Sequence, residues 1–167
     1  MTQTLWQGRF LSILSRDGWD YAERPGGTAA VVIVAVDDGH LLLIEQHRIP
    51  TGRRCLELPA GLVGDDVPGE SAVDAAAREL EEETGYRPDH VEELGIFYSS
   101  PGLMSESFTL VRATGLTRTG PGGGTAAEDI AVHRVPLGEV AGFIAAKRRE
   151  GVGIDTRLLL FLPLALS

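Results

Sequence analysis

The stretch GDDVPGESAVDAAARELEEETGY, Gly64–Tyr86, decides the reading of this chain. It reads as a helix. Ser71 with Asp74 three residues on makes a capping-box-like start. Ala72, Ala75, Ala76, Ala77, Leu80 and several glutamates are strong helix formers. Gly85 supplies a left-handed stop. At helical spacing Val73, Ala76, Ala77, Leu80 and Thr84 form one packing face. Glu79, Glu82 and Glu83 fall at i, i+3 and i+4 and share a neighbouring face. Glu81 points elsewhere, with Asp74, as a solvated surface charge. Arg78 stands one turn before Glu82 and can pair with it.

The carboxylates sit at the C-terminal end of this helix, where the helix dipole is negative and favours cations. Their mutual repulsion adds to the cost. Three oxygen donors on one patch suit a hard divalent cation such as Mg2+. Taken alone, such a run more often marks an exposed acidic face, because short motifs match readily by chance.

The run has companions. Gly64, Glu70 and Arg78-Glu79-Leu80-x-Glu82-Glu83-x-Gly85-Tyr86 together resemble the complete Nudix box. Glu57-Leu58-Pro59-Ala60-Gly61 and Gln46-His47-Arg48 resemble the signature that precedes the box in ADP-ribose pyrophosphatases. Ser100-Pro101-Gly102 with Glu106 resembles a further element of that group. So does Glu128-Asp129-Ile130 followed by Val135-Pro136-Leu137. One departure stands out. In most of that group the glycine of P-A-G is also the first glycine of the box; here Gly61 lies three residues too early and Gly64 supplies the spacing.

Composition agrees with one enzyme domain. A chain of 167 residues can bury a sizeable core. The net charge of −9 argues against nucleic acid and acidic membranes as partners. It also repels an anionic substrate, which points to a metal and to local arginines at the site. The single Cys55 excludes an internal disulfide and reads as a small apolar residue ahead of a strand. MTQTLWQGRF lacks the basic start and apolar run of a secretory signal. The apolar stretch Leu158–Leu166 is too short to span a bilayer and is broken by Pro163. The expectation is a cytoplasmic protein.

Elsewhere strands alternate with a few helices. Phe10–Leu14 and Trp19–Glu23 read as a hairpin around Asp17-Gly18. Thr28–Val36 is a β-branched run expected as a buried central strand, and Asp37-Asp38-Gly39 turns the chain into a strand over His40–Gln46. Leu56–Leu58, Val91–Tyr98, Ser107–Ala113 and Ile130–Val135 are further strands. Val140–Arg149 and Asp155–Leu162 are expected helices. Thr117–Ala127, rich in glycine, is expected as a mobile loop, either a linker or a lid. The fold class is α/β: an α/β/α sandwich with a mixed sheet, as the Nudix resemblance also implies. Residues 1–24 would be an N-terminal β-hairpin for dimerisation and 25–167 the Nudix domain.

The resemblance implies a set of roles. Glu79 and Glu83 are principal metal ligands, Glu82 is a further ligand or a base, and the Ala60 carbonyl adds a ligand. Arg78 holds a box glutamate in place, while Glu70 pairs locally or approaches an outer metal. Glu128 matches the late loop glutamate assigned as general base, outside the metal cage where a carboxylate is free to accept a proton. Arg48 binds a phosphate through its planar fork, and Glu57 contacts Arg48 or substrate. Glu106 contacts ribose or a metal water. Pro101, beside Gly102, marks preference for ADP-ribose. Trp19 with Tyr21 stacks on adenine across a dimer interface or packs the dimer itself. The implied activity is Mg2+-dependent hydrolysis of a nucleoside diphosphate sugar, with Mn2+ as a possible substitute. ADP-ribose would give AMP and ribose 5-phosphate. The alternatives are another sugar nucleotide such as GDP-mannose and, from a different class, a non-catalytic nucleotide-sensing domain. A homodimer is implied as well.

Overall fold

The computed structural model describes residues 1–24, 29–64, 67–125 and 128–159. The N-terminal residues form a sheet of their own. Strands β1 (Gln3–Gln7), β2 (Ser12–Arg16) and β3 (Trp19–Glu23) pair antiparallel in that order. The β2–β3 turn uses Asp17 and Gly18 with φ of 52° and 83°, the two positive angles a two-residue hairpin turn needs. The hairpin is legible in sequence; β1 is not. Every residue of β1 is exposed, so it carries no in–out alternation to read. The strand expected from Phe10 begins at Ser12, because Gly8 donates its N–H to the Leu11 carbonyl at 2.8 Å and turns the chain.

The main sheet is built around β4 (Ala30–Asp37) and β5 (His40–Arg48). They pair only beside their turn, Val36 opposite Leu41 and Asp37 opposite His40. Beyond it they splay. The strand β5 takes β6 (Arg53–Glu57) as an antiparallel partner, while β4 takes β7 (Ala60–Leu62). After helix α1 (Ala72–Thr84), β8 (Tyr86–Tyr98) runs antiparallel to β9 (Ser107–Arg118), which lies parallel to β4. Then β10 (Ala131–Pro136) pairs with β5, helix α2 (Val140–Arg149) follows, and β11 (Gly153–Ile154) closes parallel to β6.

Alternation along β4 sets the layers. Val31, Ile33 and Ala35 pack with Ala75, Ala76 and Leu80 of α1, whereas Val32 and Val34 share a cluster with Val140 at the start of α2. A strand covered on both faces is a continuous apolar run, which is why this one is legible as central. The result is the expected α/β/α sandwich with a mixed sheet.

The strands β7 and β11 are not expected from sequence, β6 begins at Arg53 rather than Leu56, and two further elements differ. First, β8 begins at Tyr86 rather than Val91. Pro88 in its first half argues against a strand on sequence grounds, but β8 is the outermost strand and an edge tolerates a missing N–H donor. Second, β9 continues to Arg118, so the glycine-rich connection is shorter than expected; Ala126 and Ala127 lie outside the described residues. Of the helix expected over 155–162, the first turn is present, with Leu158 donating to the Asp155 carbonyl at 3.1 Å, and residues 160–162 lie outside the described residues.

The N-terminal sheet is attached to the 99–106 loop. Ala22 donates to the Leu103 carbonyl and accepts from Ser105, at 2.9 and 3.0 Å. A buried polar knot on β5, invisible in sequence, ties further elements together: Glu45 accepts from Arg54 (2.9 Å) and Lys147 (2.8 Å), with His133 at 3.2 Å. Among the described residues no helix is long and apolar enough to cross a membrane.

Candidate active site

The helix α1 is made as its sequence dictates. The Ser71 hydroxyl accepts from the Asp74 N–H at 3.1 Å, and Gly85 ends the helix at φ 76°. Ala75, Ala76, Leu80 and Thr84 are buried against the sheet. This seating turns Glu79, Glu82 and Glu83 toward a cavity of about 800 Å³. Glu81 is not among its lining residues and pairs with Arg87 instead, at 2.9 and 3.0 Å.

The three helix carboxylates sit at different depths. Glu83 is 4% exposed and accepts from the Ala60 N–H at 3.0 Å. Burial pushes its carboxyl up to about 8, and the neighbouring Glu79 and Glu128 carboxylates add to the rise; the Ala60 N–H and the Arg48 guanidinium act against it. Burial raises Glu79 too, with Glu82 and Glu128 contributing and Arg78 opposing. Glu82 stands at the exposed rim. Arg78 lies behind the carboxylates rather than in the cavity. It holds Glu70 through two contacts (3.0 and 3.1 Å), Glu79 at 3.0 Å and Glu82 at 3.4 Å, and donates to the Leu62 carbonyl at 3.4 Å.

Glu128 reaches the same cavity from the far end of the sequence. Its Oε2 accepts from the Thr125 N–H (2.8 Å) and hydroxyl (3.0 Å). The next residue, Asp129, is bound by Arg54 at 2.8 Å.

Basic groups complete the lining. Arg48 forms a two-pronged pair with the buried Glu57, at 2.8 and 2.6 Å, so Glu57 sits behind Arg48 rather than in the cavity. Arg24 pairs with Glu106 at 2.5 Å. Arg157 is clasped by Asp155, with the shortest contact at 2.5 Å, and approaches Glu57 at 3.6 Å. Sequence alone does not point to Arg24, Asp155 or Arg157 as lining residues. In the sequence Asp155 reads simply as the cap of a helix, and the strand Gly153–Ile154 that delivers Asp155-Thr156-Arg157 to the cavity carries no sequence signal.

Trp19, Pro101 and Gly102 line a neighbouring cavity of about 430 Å³, together with Tyr21. Met104 borders both cavities. Ala60 lines the main one, and so does Gly61, which leaves the space filled by the Glu79 side chain: a β-carbon at Gly61 would overlap the Glu79 carboxyl. The extra loop residues before Gly64 therefore leave the Gly61–Glu79 contact in place.

The donor set fits a hard divalent cation. It consists of carboxylate oxygens and carries surplus negative charge; burial, reinforced by the Glu79 and Glu128 carboxylates, holds Glu83 toward its neutral form, a cost that a bound cation would relieve. Among the described residues no three such groups stand together as a finished cage. Arg78 holds Glu79 and Glu82, and the Ala60 N–H holds Glu83, so each carboxylate is oriented by a neighbouring donor.

Two outcomes follow, one in the presence of cation and one in chelator. Gly61→Ala should fold but displace Glu79. The divalent-cation midpoint of activity should rise by about tenfold or more, the usual scale for disturbing groups that orient a ligand. Titration of activity with the cation tests this. The second outcome concerns pH. The folded Glu83 value lies above its ordinary 4.5, so the native state binds more protons than the unfolded chain between 4.5 and about 8. Stability in chelator should therefore fall as pH rises through that window. Melting curves of wild type and Glu83→Gln across it provide the measurement, and the variant should lose most of the slope.

A loop–helix–loop that presents carboxylates to a cavity, on an α/β/α sandwich with a mixed sheet, defines the class of Nudix proteins. The family model described as the NUDIX domain matches residues 25–152, and the chain belongs to that family. Over 114 residues it is 40% identical to the ADP-ribose pyrophosphatase of Mycobacterium tuberculosis, covering 67% of this chain and 54% of that protein. Over 145 residues it is 33% identical to the GDP-mannose pyrophosphatase of Cronobacter sakazakii, covering 82% and 72%. The fold is similar to a crystal structure of an ADP compounds hydrolase, with a TM-score of 0.68 at 27% identity over 85% of this chain and 80% of that one. The chain spans about half the length of several curated relatives, 49%, 54% and 44% in three of them.

Proposed function

We propose that this protein hydrolyses the pyrophosphate bond of a nucleoside diphosphate sugar, ADP-ribose first among them, giving AMP and ribose 5-phosphate. The observation that carries the reading is one cavity lined both by Glu79, Glu82, Glu83 and Glu128 and by Arg24, Arg48 and Arg157. A pyrophosphate is inert because its own oxygens repel nucleophiles, and both kinds of group answer that charge. Glu79, Glu82, Glu83 and the Ala60 carbonyl would hold Mg2+, with Mn2+ as substitute. Bound there, the cation neutralises phosphate charge and acidifies water.

The chain's own residues do the rest. Arg48 and Arg157 engage phosphate oxygens through guanidinium forks. Arg78 keeps Glu79 and Glu82 oriented. Glu128 accepts the proton from the attacking water. The water oxygen bonds to one phosphorus as the bridging P–O bond breaks, and the other phosphate leaves with the bond's electron pair. Trp19, Tyr21, Pro101 and Gly102 serve the base and ribose end from the neighbouring cavity. The exposed Trp6 and Trp19 of the N-terminal sheet, with Phe10 in the β1–β2 connection, support its use as a homodimer surface. The lone buried Cys55 is compatible with the cytoplasm.

A second reading, hydrolysis of GDP-mannose, is favoured by the similarity to the GDP-mannose pyrophosphatase. One screen separates the two. ADP-ribose, GDP-mannose, NADH, diadenosine polyphosphates and nucleoside triphosphates are each incubated with Mg2+ or Mn2+, and phosphate is measured after phosphatase treatment. ADP-ribose should be turned over fastest. A preference for GDP-mannose would move the assignment to the second reading, and no cation-dependent release from any compound would remove both.

A further inference from the structure

Between β9 and Glu128 runs Thr119-Gly120-Pro121-Gly122-Gly123-Gly124-Thr125. Its composition predicts a mobile loop. The structure shows a segment pinned to the end of α1. Thr119 and Gly120 donate their N–H groups to the Gly85 carbonyl, at 2.8 and 3.2 Å. Gly123 donates to the Glu83 carbonyl at 2.8 Å, and Gly124 to the Glu82 carbonyl at 3.0 Å. The last carbonyls of a helix have no partner within it; here this segment supplies the donors. It also brings N–H dipoles to the negative end of the helix, where the carboxylates are crowded.

The approach depends on glycine. Gly122, Gly123 and Gly124 have φ of 68°, 111° and 78°, where other residues are strained. A β-carbon at Gly122 would overlap the backbone of Thr84, and one at Gly85 would overlap the Gly120 carbonyl. At its far end the segment holds Glu128, whose Oε2 accepts both donors of Thr125. Backbone contacts thus run from the residues that bear the Glu82 and Glu83 carboxylates to the residue that grips Glu128.

We infer that residues 119–125 form a fixed strap, a positioning element that sets the Glu128 carboxylate relative to the α1 carboxylates. This rests on the reading of Glu128 as the base. The strap acts before substrate arrives, and turnover does not require it to close.

Two measurements test the strap. Amide exchange followed by NMR on the full chain with Mg2+, with and without AMP, reads the strap directly and needs no activity. The amides of Gly120, Gly123 and Gly124 should be protected to the same degree in both states. Rates of an unstructured peptide, or protection that appears only with AMP, would overturn the strap. Kinetics then test the coupling. Gly122→Ala should lower kcat by about ten- to a hundredfold with KM within about twofold, the scale of a misplacement near 1 Å. If that variant fails to fold, Gly124→Ala takes its place, since its β-carbon meets the Glu128 and Ile130 side chains rather than the helix backbone. In a Glu128→Gln background either change should cost almost nothing further; additive losses would sink the coupling. Protected amides in a protein inert toward every sugar nucleotide would leave the strap standing and remove only the proposed activity.

Discussion

Glu83→Gln should lower cation-dependent kcat by about a thousandfold, since several kcal/mol of charge stabilisation is lost with one ligand. The same change should leave the cation-free protein as stable as wild type or more so. Gln matches Glu in size and can still accept from the Ala60 N–H, while the cost of holding an ionisable carboxyl neutral in a buried place, which grows with pH up to about 8, disappears. The opposed directions make the result diagnostic. A residue that matters only for folding would lose both properties together. Melting in chelator and with Mg2+, alongside steady-state rates, provides both readouts. Full Mg2+-dependent activity in this variant would show that Glu83 is not a ligand.

Glu128→Gln should lower kcat by about a hundred- to ten-thousandfold, the usual contribution of a general base. KM and the cation midpoint should barely move. Gln keeps an acceptor oxygen for the Thr125 N–H and hydroxyl, so the local turn survives. What is lost is the capacity to take a proton from water. Equal losses in turnover and affinity would make Glu128 a binding group, and no loss at all would return it to the surface charges. Together, Glu83→Gln and Glu128→Gln separate holding the cation from using the water.

The sequence states the face of a residue better than its depth. Helical spacing alone separates Glu81 from Glu79, Glu82 and Glu83, and the structure has Glu81 on Arg87, away from the cavity. The same spacing cannot distinguish Glu82 at the rim from Glu83 at 4% exposure, because depth depends on what packs above. The Asp17-Gly18 hairpin is legible because its turn is a two-residue local event. The Arg24–Glu106 pair is not, since its members are 82 residues apart. Arg157 is hidden for the same reason: nothing in Asp155-Thr156-Arg157 says that the turn faces Arg48 and Glu57. The glycine segment is the sharpest case. Its composition reads as freedom, but its contacts are made by backbone N–H groups, which every residue except proline possesses and no motif displays.

The parallel pairing of β4 with β9 also bears on how the chain is made. Ala30 lies opposite Phe108, and Ala35 opposite Ala113. On the ribosome β4 therefore emerges long before the strand that covers its open edge. In that interval a β-branched run waits with unpaired backbone groups, the kind of edge that recruits strands from other chains. Synthesis must pass residue 118 before the central sheet can close. The cavity is completed late, because the Asp155–Arg157 turn that lines it is synthesised after every strand of the central sheet from β4 to β10.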